Sequence, residues 1–349
     1  MTLEPKIRRI RASIFVLALC ALGLGLPFPP ASPQSLQATQ ASDAPNLIRQ
    51  LDAVTHPFDA GKCSEVSAAA RRALAGNPKD AQADLWLARC CLELAEYDQA
   101  IIYAERTVDL EPGSSQAHLW LGRSYGLEAE RAHSFLLARR VRREFETAVQ
   151  LDPGNLAARR DLMEFYLEAP WALGGSQDKA RRQAEAITAR DAVEGHLARG
   201  AFWQDLRQPL RAEAEYREAL ELKPARVEPY FEIAEFYEKR GEAGEVEGAV
   251  KAASLMQPLD PRLDYYGGVA RVLEGGPFSE AEQFLKNYLS RAPVRSDFPS
   301  HAAAYEWLGR LYEQSGRTRQ AAEHYQSALR LDAHRREARQ ALARLHFDR

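Results

Sequence analysis

Three copies of one short motif place an aromatic ring three residues before a guanidinium group. They are Trp86-Leu87-Ala88-Arg89, Trp120-Leu121-Gly122-Arg123 and Trp307-Leu308-Gly309-Arg310. Residues three apart share one face of a helix, so each arginine can stack on its own tryptophan and stiffen that helix. The same pair can instead face solvent and bind aromatic and acidic groups of another molecule. The chemistry that this motif favours is noncovalent recognition.

Cys63, Cys90 and Cys91 are a second candidate for chemistry. We predict a disulfide between Cys63 and either Cys90 or Cys91 if neighbouring helices bring their Cα atoms within about 4.4–6.8 Å in an oxidising compartment. The alternative is that the three cysteines pack as small apolar side chains. The sequence leaves both interpretations open.

Motifs of the common catalytic sites are absent from the sequence. It contains no Gly-rich phosphate loop, no nucleophile elbow, and no His-x3-His or Cys-x2-Cys ligand pair. The net charge is −3 with 27% charged residues, which is not the basic excess of a nucleic-acid-binding protein. We therefore predict a protein that is not an enzyme, needs no cofactor or metal, and does not bind nucleic acid.

The elements that position these residues follow from a repeat. Prolines recur along the chain at steps of 34, 41, 71, 34 and 35 residues: Pro78, Pro112, Pro153, Pro224, Pro258 and Pro293. A proline at such a step ends one helix and fixes the turn into the next. Small and aromatic residues keep the same register. The last full unit contains Tyr305-x2-Leu308-Gly309-x2-Tyr312 and Ala321-x3-Tyr325-x2-Ala328.

This register resembles the tetratricopeptide repeat pattern W-x2-L-G-x2-Y…A-x3-F, with tyrosine in place of the first and last aromatic residues. The resemblance covers nearly the whole chain after the N-terminal segment. It implies an all-α, right-handed superhelical solenoid of helix-turn-helix units with a concave inner face. Small residues at the eighth and twentieth positions let two helices approach, and aromatic rings fill the space between them.

We divide the chain accordingly. Residues 1–31 form a signal peptide or N-terminal anchor, 32–46 a flexible linker, 47–335 a solenoid of about eight repeats, and 336–349 a C-terminal capping helix. Two repeats carry insertions, near residues 128–141 and 169–178. The first insertion is predicted to lengthen its helices, and the second to form a loop.

The resemblance also places the tryptophan and arginine of each motif on the concave face. We predict that the main binding surface is the groove of the second and third repeats, an apolar strip with cations. Its predicted residues are Trp86, Arg89, Trp120, Arg123, Leu85, Leu119, Leu127 and Arg160. The groove is then expected to become acidic toward Glu194, Asp205, Glu228, Glu235 and Glu238. The alternative is stacking of each arginine on its own tryptophan.

Two features of the insertions have two interpretations each. Arg139, Arg140, Arg142 and Arg143 form either a docking patch for an acidic partner or anionic lipid, or an ordinary solvated helix face. Trp171 is either an anchor for a partner or a side chain that folds back over the solenoid.

The N-terminal segment has the order of an export signal. A basic stretch precedes an uninterrupted apolar run at residues 12–26, and prolines follow it. This run is short for a membrane span, which needs about 20 residues. Lipidation at Cys20 is disfavoured because Leu19 stands where a small residue is required.

We therefore predict an exported, periplasmic scaffold that binds a protein or peptide. One alternative is a structural component of an envelope complex, anchored to the inner membrane by residues 12–26, which would then be the only link to the membrane. Another is a regulatory subunit of an enzyme encoded elsewhere.

Export makes a direct prediction about the mature chain. Its N-terminus is expected between about residues 27 and 45, because a signal peptidase cleaves after the apolar run. N-terminal sequencing of the protein from separated cell fractions measures this. An intact N-terminus on soluble cytoplasmic protein would contradict export.

Overall fold

The computed structural model describes residues 60–347, which form sixteen α-helices and no strand. The helices are α1 (Ala60–Gly76), α2 (Ala81–Glu93), α3 (Tyr97–Leu110), α4 (Ser115–Ala132), α5 (Phe135–Leu151), α6 (Leu156–Glu168), α7 (Gln177–Thr188), α8 (Ala192–Asp205), α9 (Pro209–Glu221), α10 (Glu228–Arg240), α11 (Ala243–Met256), α12 (Arg262–Glu274), α13 (Phe278–Arg291), α14 (His301–Gln314), α15 (Thr318–Leu331) and α16 (Arg336–Phe347). A 3₁₀ turn, Trp171–Leu173, lies between α6 and α7.

Polar side chains define where many of these helices begin. Asp80, Ser114, Ser134, Asn155 and Ser176 each accept a hydrogen bond from the backbone N–H three residues later. Each bond satisfies one of the N–H groups that the first helical turn leaves without an intrahelical partner. The helix boundaries therefore follow from local sequence.

The helices pack in consecutive antiparallel pairs and form a right-handed superhelical solenoid. We call the first helix of each pair an A helix (α2, α4, α6, α8, α10, α12, α14) and the second a B helix (α3, α5, α7, α9, α11, α13, α15). A helices of neighbouring repeats also pack on one another, as α2 does on α4 and α12 on α14. The A helices therefore form the inner, concave layer.

Close contact between a glycine and an aromatic ring holds A and B helices together. A Cβ atom added at Gly122 would lie 2.5 Å from the Phe145 ring, and one at Gly200 or Gly309 would lie 2.6 Å from the ring of Tyr216 or Tyr325. These are the eighth and twenty-fourth positions of the repeat. The rings are buried, and a buried alanine follows each of them by three residues.

The insertions extend one edge of the solenoid. In an antiparallel pair, the turns from A to B helices lie on one edge, which we call the A–B edge, and the turns from B to the next A helix lie on the opposite B–A edge. The first insertion lengthens α4 and α5, which meet at His133 in the left-handed conformation (φ 51°). The second is the loop at residues 169–176. Both lie on the A–B edge, in consecutive repeats.

The ends of the chain are described in part. The predicted signal segment, the linker and the first helix of the first repeat lie outside the described residues, and α1 is the second helix of that repeat. At the other end, α16 packs on α15 and α14 in the position of the predicted capping helix. Within residues 60–347, every helix is too short or too polar to cross a bilayer.

Two glycines of α4 test the packing of A against B helices. Gly122→Ala is expected to lower the free energy of unfolding by about 1–3 kcal/mol, because its Cβ overlaps the Phe145 ring. Gly126→Ala, one turn later with nothing within 4 Å, should instead raise it by about 0.5–1 kcal/mol. Urea unfolding of both variants measures the difference. Effects of the same sign would contradict this packing.

Candidate functional site

The concave face formed by the A helices is the candidate site, because it brings side chains from distant repeats together. Arg160 of α6 reaches Glu232 of α10, 72 residues away, and Trp307 of α14 reaches Glu238 of α10, 69 residues away. The groove is therefore a continuous polar surface that crosses repeat boundaries.

At the N-terminal end of the groove, the tryptophans and arginines form a stack. The guanidinium carbon of Arg89 lies 4.0 Å from the ring centroid of Trp86 and 4.8 Å from that of Trp120. The guanidinium carbon of Arg123, on the same helix as Trp120, lies 4.6 Å from the Trp120 centroid. The stack therefore connects α2 to α4, so it joins repeats as well as stiffening single helices.

The predicted apolar strip is not present as an accessible surface. Trp86 is fully buried with Cys63, Val66 and Leu87, and Leu85 and Leu119 are also buried. The prediction that Trp86, Leu85 and Leu119 line an open groove was wrong, because all three side chains are buried, Trp86 against Cys63 and Val66 of α1. Arg89, Trp120, Arg123, Leu127 and Arg160 remain partly exposed, and their role in binding stays a prediction.

The groove arginines are already paired with carboxylates. The Nε and Nη2 groups of Arg123 donate to the two oxygens of Asp161 at 2.6 and 3.3 Å. Asp161 is a groove residue that the sequence argument missed, because it lies outside the register of the motif. A ligand carboxylate must therefore compete with Asp161 for Arg123.

Arg160 is the centre of a larger ion-pair network. Its guanidinium pairs with Glu232, and it lies 3.6 Å from Glu164 and 3.8 Å from Glu194. Burial alone lowers the pKa of Arg160, but the carboxylates of Glu232 and Glu164 outweigh it and raise the pKa above its ordinary value. The predicted basic and acidic halves of the groove thus neutralise each other where they meet.

The third tryptophan has a different environment. The Nε1–H of Trp307 and the hydroxyl of Tyr265 both donate to Oε1 of Glu238, each at 2.7 Å. Burial raises the pKa of Glu238 to about 7, against the opposing effect of these two hydrogen bonds. Near neutral pH this carboxyl group is therefore protonated in a substantial fraction of molecules, and this half of the groove is less acidic than predicted.

One contact joins distant repeats across the solenoid. The hydroxyl of Ser296, in the connector between α13 and α14, donates to Oε1 of Glu93 at the end of α2, at 3.0 Å. Burial raises the pKa of Glu93, while the bond from Ser296 lowers it. Arg295 and Asp297 pair with each other beside this contact. The superhelix therefore turns far enough to bring residues 203 positions apart into contact.

Cys63, Cys90 and Cys91 are buried in the structure. A hydrogen bond from the Cys63 thiol is the largest influence on Cys90 and lowers its pKa, against the opposing effect of burial. The Cys91 thiol instead donates to Glu96 at 3.6 Å. The disulfide stays a prediction, and this arrangement favours Cys90 over Cys91 as the partner of Cys63.

Two histidine–carboxylate pairs resemble acid–base sites, but in each pair a group that acid–base catalysis needs already has a second partner. His118 shares one ring nitrogen with Glu144 at 2.7 Å and the other with the Pro112 carbonyl at 3.1 Å. The Glu144 hydrogen bond raises the pKa of His118 against the opposing effect of burial, and both ring nitrogens face acceptor atoms. The Glu215 carboxylate is shared between His196 and Arg199. These pairs hold α4 on α5 and α8 on α9.

The family model described as "Tetratricopeptide repeat" matches residues 51–115, 273–335 and 308–349. The matched segments lie at the two ends of the chain, outside the repeats that carry insertions. The comparison with curated proteins gives no significant match.

Solved structures with the same architecture include a chain of the APC/C hetero-tetramer Cut9–Hcn1. The TM-score is 0.52 at 15% identity, over 88% of this chain and 57% of that chain. A tetratricopeptide repeat protein from Parabacteroides merdae gives 0.48 at 14% identity, over 74% of this chain and 96% of that one. A thermophilic protein of the same kind from Thermus thermophilus gives 0.46 at 22% identity, over 56% and 98%.

Glu238 gives the fold a pH dependence. Its folded-state pKa of about 7 exceeds the ordinary 4.5. Protonation of Glu238 therefore contributes fully to the stability of the fold below about pH 4.5, and this contribution is lost as the pH rises through 7. Glu238→Gln keeps an acceptor for Trp307 and Tyr265 without the charge. It should be more stable than the wild type at pH 8, by up to ~3 kcal/mol, and differ less at pH 5.

Urea unfolding at both pH values measures this difference. Glu323→Gln is the matched control, because its exposed carboxylate pairs with Arg319 on the same helix and is not among the influences on Glu238. A pH-independent effect of Glu238→Gln, or an equal effect of the control, would contradict the assignment.

Proposed function

We propose that this chain, which belongs to the tetratricopeptide repeat family, holds a segment of a partner protein in its concave groove. The fold is that of a protein-interaction scaffold. The observation that carries the proposal is the polar inner face, on which ion pairs, hydrogen bonds and Trp–Arg stacks connect side chains of α2, α4, α6, α10 and α14. We further propose that the chain acts without catalysis.

The chemistry of the groove defines the ligand. Arg89, Trp120 and Leu127 offer a cation, an aromatic edge and an apolar side chain at one end. Glu235 is exposed further along, and Glu238 changes charge near neutral pH. A helical or extended segment with aromatic and acidic groups at one end and basic groups at the other fits this surface. Because the groove arginines are already paired with carboxylates, an acidic group of the ligand replaces an existing ion pair. This exchange adds more to the specificity of binding than to its affinity.

We propose that binding takes place in the bacterial cell envelope. This part of the proposal is supported by the order of basic, apolar and proline-rich residues at the N-terminus. If residues 12–26 remain attached, the scaffold is anchored to the membrane, and the groove stays available to the same class of partner.

Site-specific photo-crosslinking in cells tests the groove as the binding surface. A photoreactive amino acid at Leu127 or Glu235, on the concave face, should give adducts with one partner protein. The same probe at Ile102 or Gln326, exposed on the B helices α3 and α15, should not. Equal adducts from the outer positions would place the partner elsewhere.

Exchanging the charges of Arg123 and Asp161 tests their role in binding while the protein stays folded. The double variant Arg123→Asp/Asp161→Arg retains an ion pair with reversed polarity but loses the stack of Arg123 on Trp120, so its stability should fall by about 0.5–2 kcal/mol. Crosslinking from Leu127 should fall, because the ligand meets the opposite charge. Unchanged crosslinking in the folded double variant would exclude this pair from the binding surface.

A further inference from the structure

The two insertions on the A–B edge carry three large, exposed apolar side chains. Trp171 is 88% exposed, Phe135 71% and Leu136 66%. Phe135 and Leu136 form the start of α5, and Trp171 begins the 3₁₀ turn of the next repeat. We call these three residues the apolar edge. Exposed apolar groups of this size on neighbouring insertions are available for contact with another molecule or with a membrane.

The loop that carries Trp171 is held rigidly. The N–H groups of Leu173 and Gly175 donate to the Pro170 carbonyl, and that of Ser176 donates to the Tyr166 carbonyl at 2.8 Å. Leu173 is buried beneath the loop, and a Cβ at Gly175 would lie 1.7 Å from the Ala169 carbonyl oxygen. The indole therefore points into solvent because the backbone holds it there, and the predicted alternative, that it folds back over the solenoid, does not occur.

The two insertions are attached to each other. The Nη1 group of Arg142 on α5 donates to the Leu173 carbonyl at 3.2 Å and covers Gly174. Phe135 and Leu136 lie about two helical turns before Arg142, roughly 10 Å along the helix axis. All three apolar side chains thus project from the insertions of one edge as exposed tips.

The two sequence stretches that carry these tips have a net charge opposite to that of the whole chain. Residues 128–143 and 168–182 contain eight arginines and lysines and four acidic residues, a net charge of +4, whereas the chain carries −3. Arg139 and Arg143 are exposed on the same helix as Phe135. Protruding aromatic and aliphatic tips among arginines are suited to a bilayer, because the rings enter the head-group region while the guanidinium groups contact phosphates.

We propose that the apolar edge docks on the surface of a lipid bilayer that contains anionic phospholipids. Trp171, Phe135 and Leu136 enter the head-group region, and Arg139 and Arg143 contact head-group phosphates. This inference goes beyond the proposed function, because the groove faces away from the edge and stays free for a protein ligand. It also differs from anchoring by residues 12–26, since it rests on side chains of the solenoid alone.

Quenching of tryptophan fluorescence by brominated lipid tests the proposal on the full chain. All five tryptophans lie between positions 86 and 307, so the N-terminal segment adds no signal even if it inserts into the vesicle. Vesicles of phosphatidylglycerol and dibrominated phosphatidylcholine should quench part of the wild-type emission. Trp171→Phe should lose this quenching, and Arg139→Glu/Arg143→Glu or vesicles without phosphatidylglycerol should reduce it.

Leu255 and Leu259 provide the matched control, because they are 83% and 81% exposed on the opposite B–A edge. Leu255→Ser/Leu259→Ser should keep the wild-type quenching, whereas Phe135→Ser/Leu136→Ser should weaken it. Absent quenching in the wild type, or equal quenching in Trp171→Phe, would overturn the proposal. Self-association in sedimentation that Trp171→Phe abolishes, without quenching, would assign the edge to a second copy and also overturn it.

Discussion

The structure depends on one steric constraint, the close approach of an A helix to its B helix, which α4, α8 and α14 make through a glycine. Where glycine stands at the eighth position, the ring at the twenty-fourth fills the space that a Cβ would occupy, as Phe145, Tyr216 and Tyr325 do. With the pairs packed this closely, A helices of neighbouring repeats also contact one another and form one inner layer. On this layer, residues two repeats apart form ion pairs, as Arg160 and Glu232 do.

The repeat was predictable because each of its positions has a local physical reason. Proline ends a helix, serine and aspartate begin one, and small residues permit close packing, so Pro112, Ser114 and Gly122 can each be interpreted from the sequence alone. The insertion with Trp171 was also visible as a break in the period. What the loop does with its tryptophan depends on Arg142 and Tyr166, which hold it from other helices, and no local pattern contains that information.

The groove was less predictable because burial depends on neighbours. Trp86, Trp120 and Trp307 occupy the same position of one motif, yet Trp86 lies in the core beside α1, Trp120 is part of the Arg89–Arg123 stack, and Trp307 donates to Glu238. Arg160 was assigned to the basic half of a charge gradient and instead pairs with carboxylates of the acidic half. Long flexible side chains reach across repeats, so residue type and register do not define their partners.

The hydrogen bond from Ser296 to Glu93 changes the topology of the groove. A superhelix whose distant repeats do not touch admits a ligand from the side at any point. A superhelix whose distant repeats are in contact is instead a closed ring, which opens only when that contact breaks. A hydrogen bond of this kind contributes about 0.5–1.5 kcal/mol net, so thermal motion opens it often. For the proposed ligand, this means that an internal segment with folded domains on both sides can enter from the side, without a free chain end that threads through.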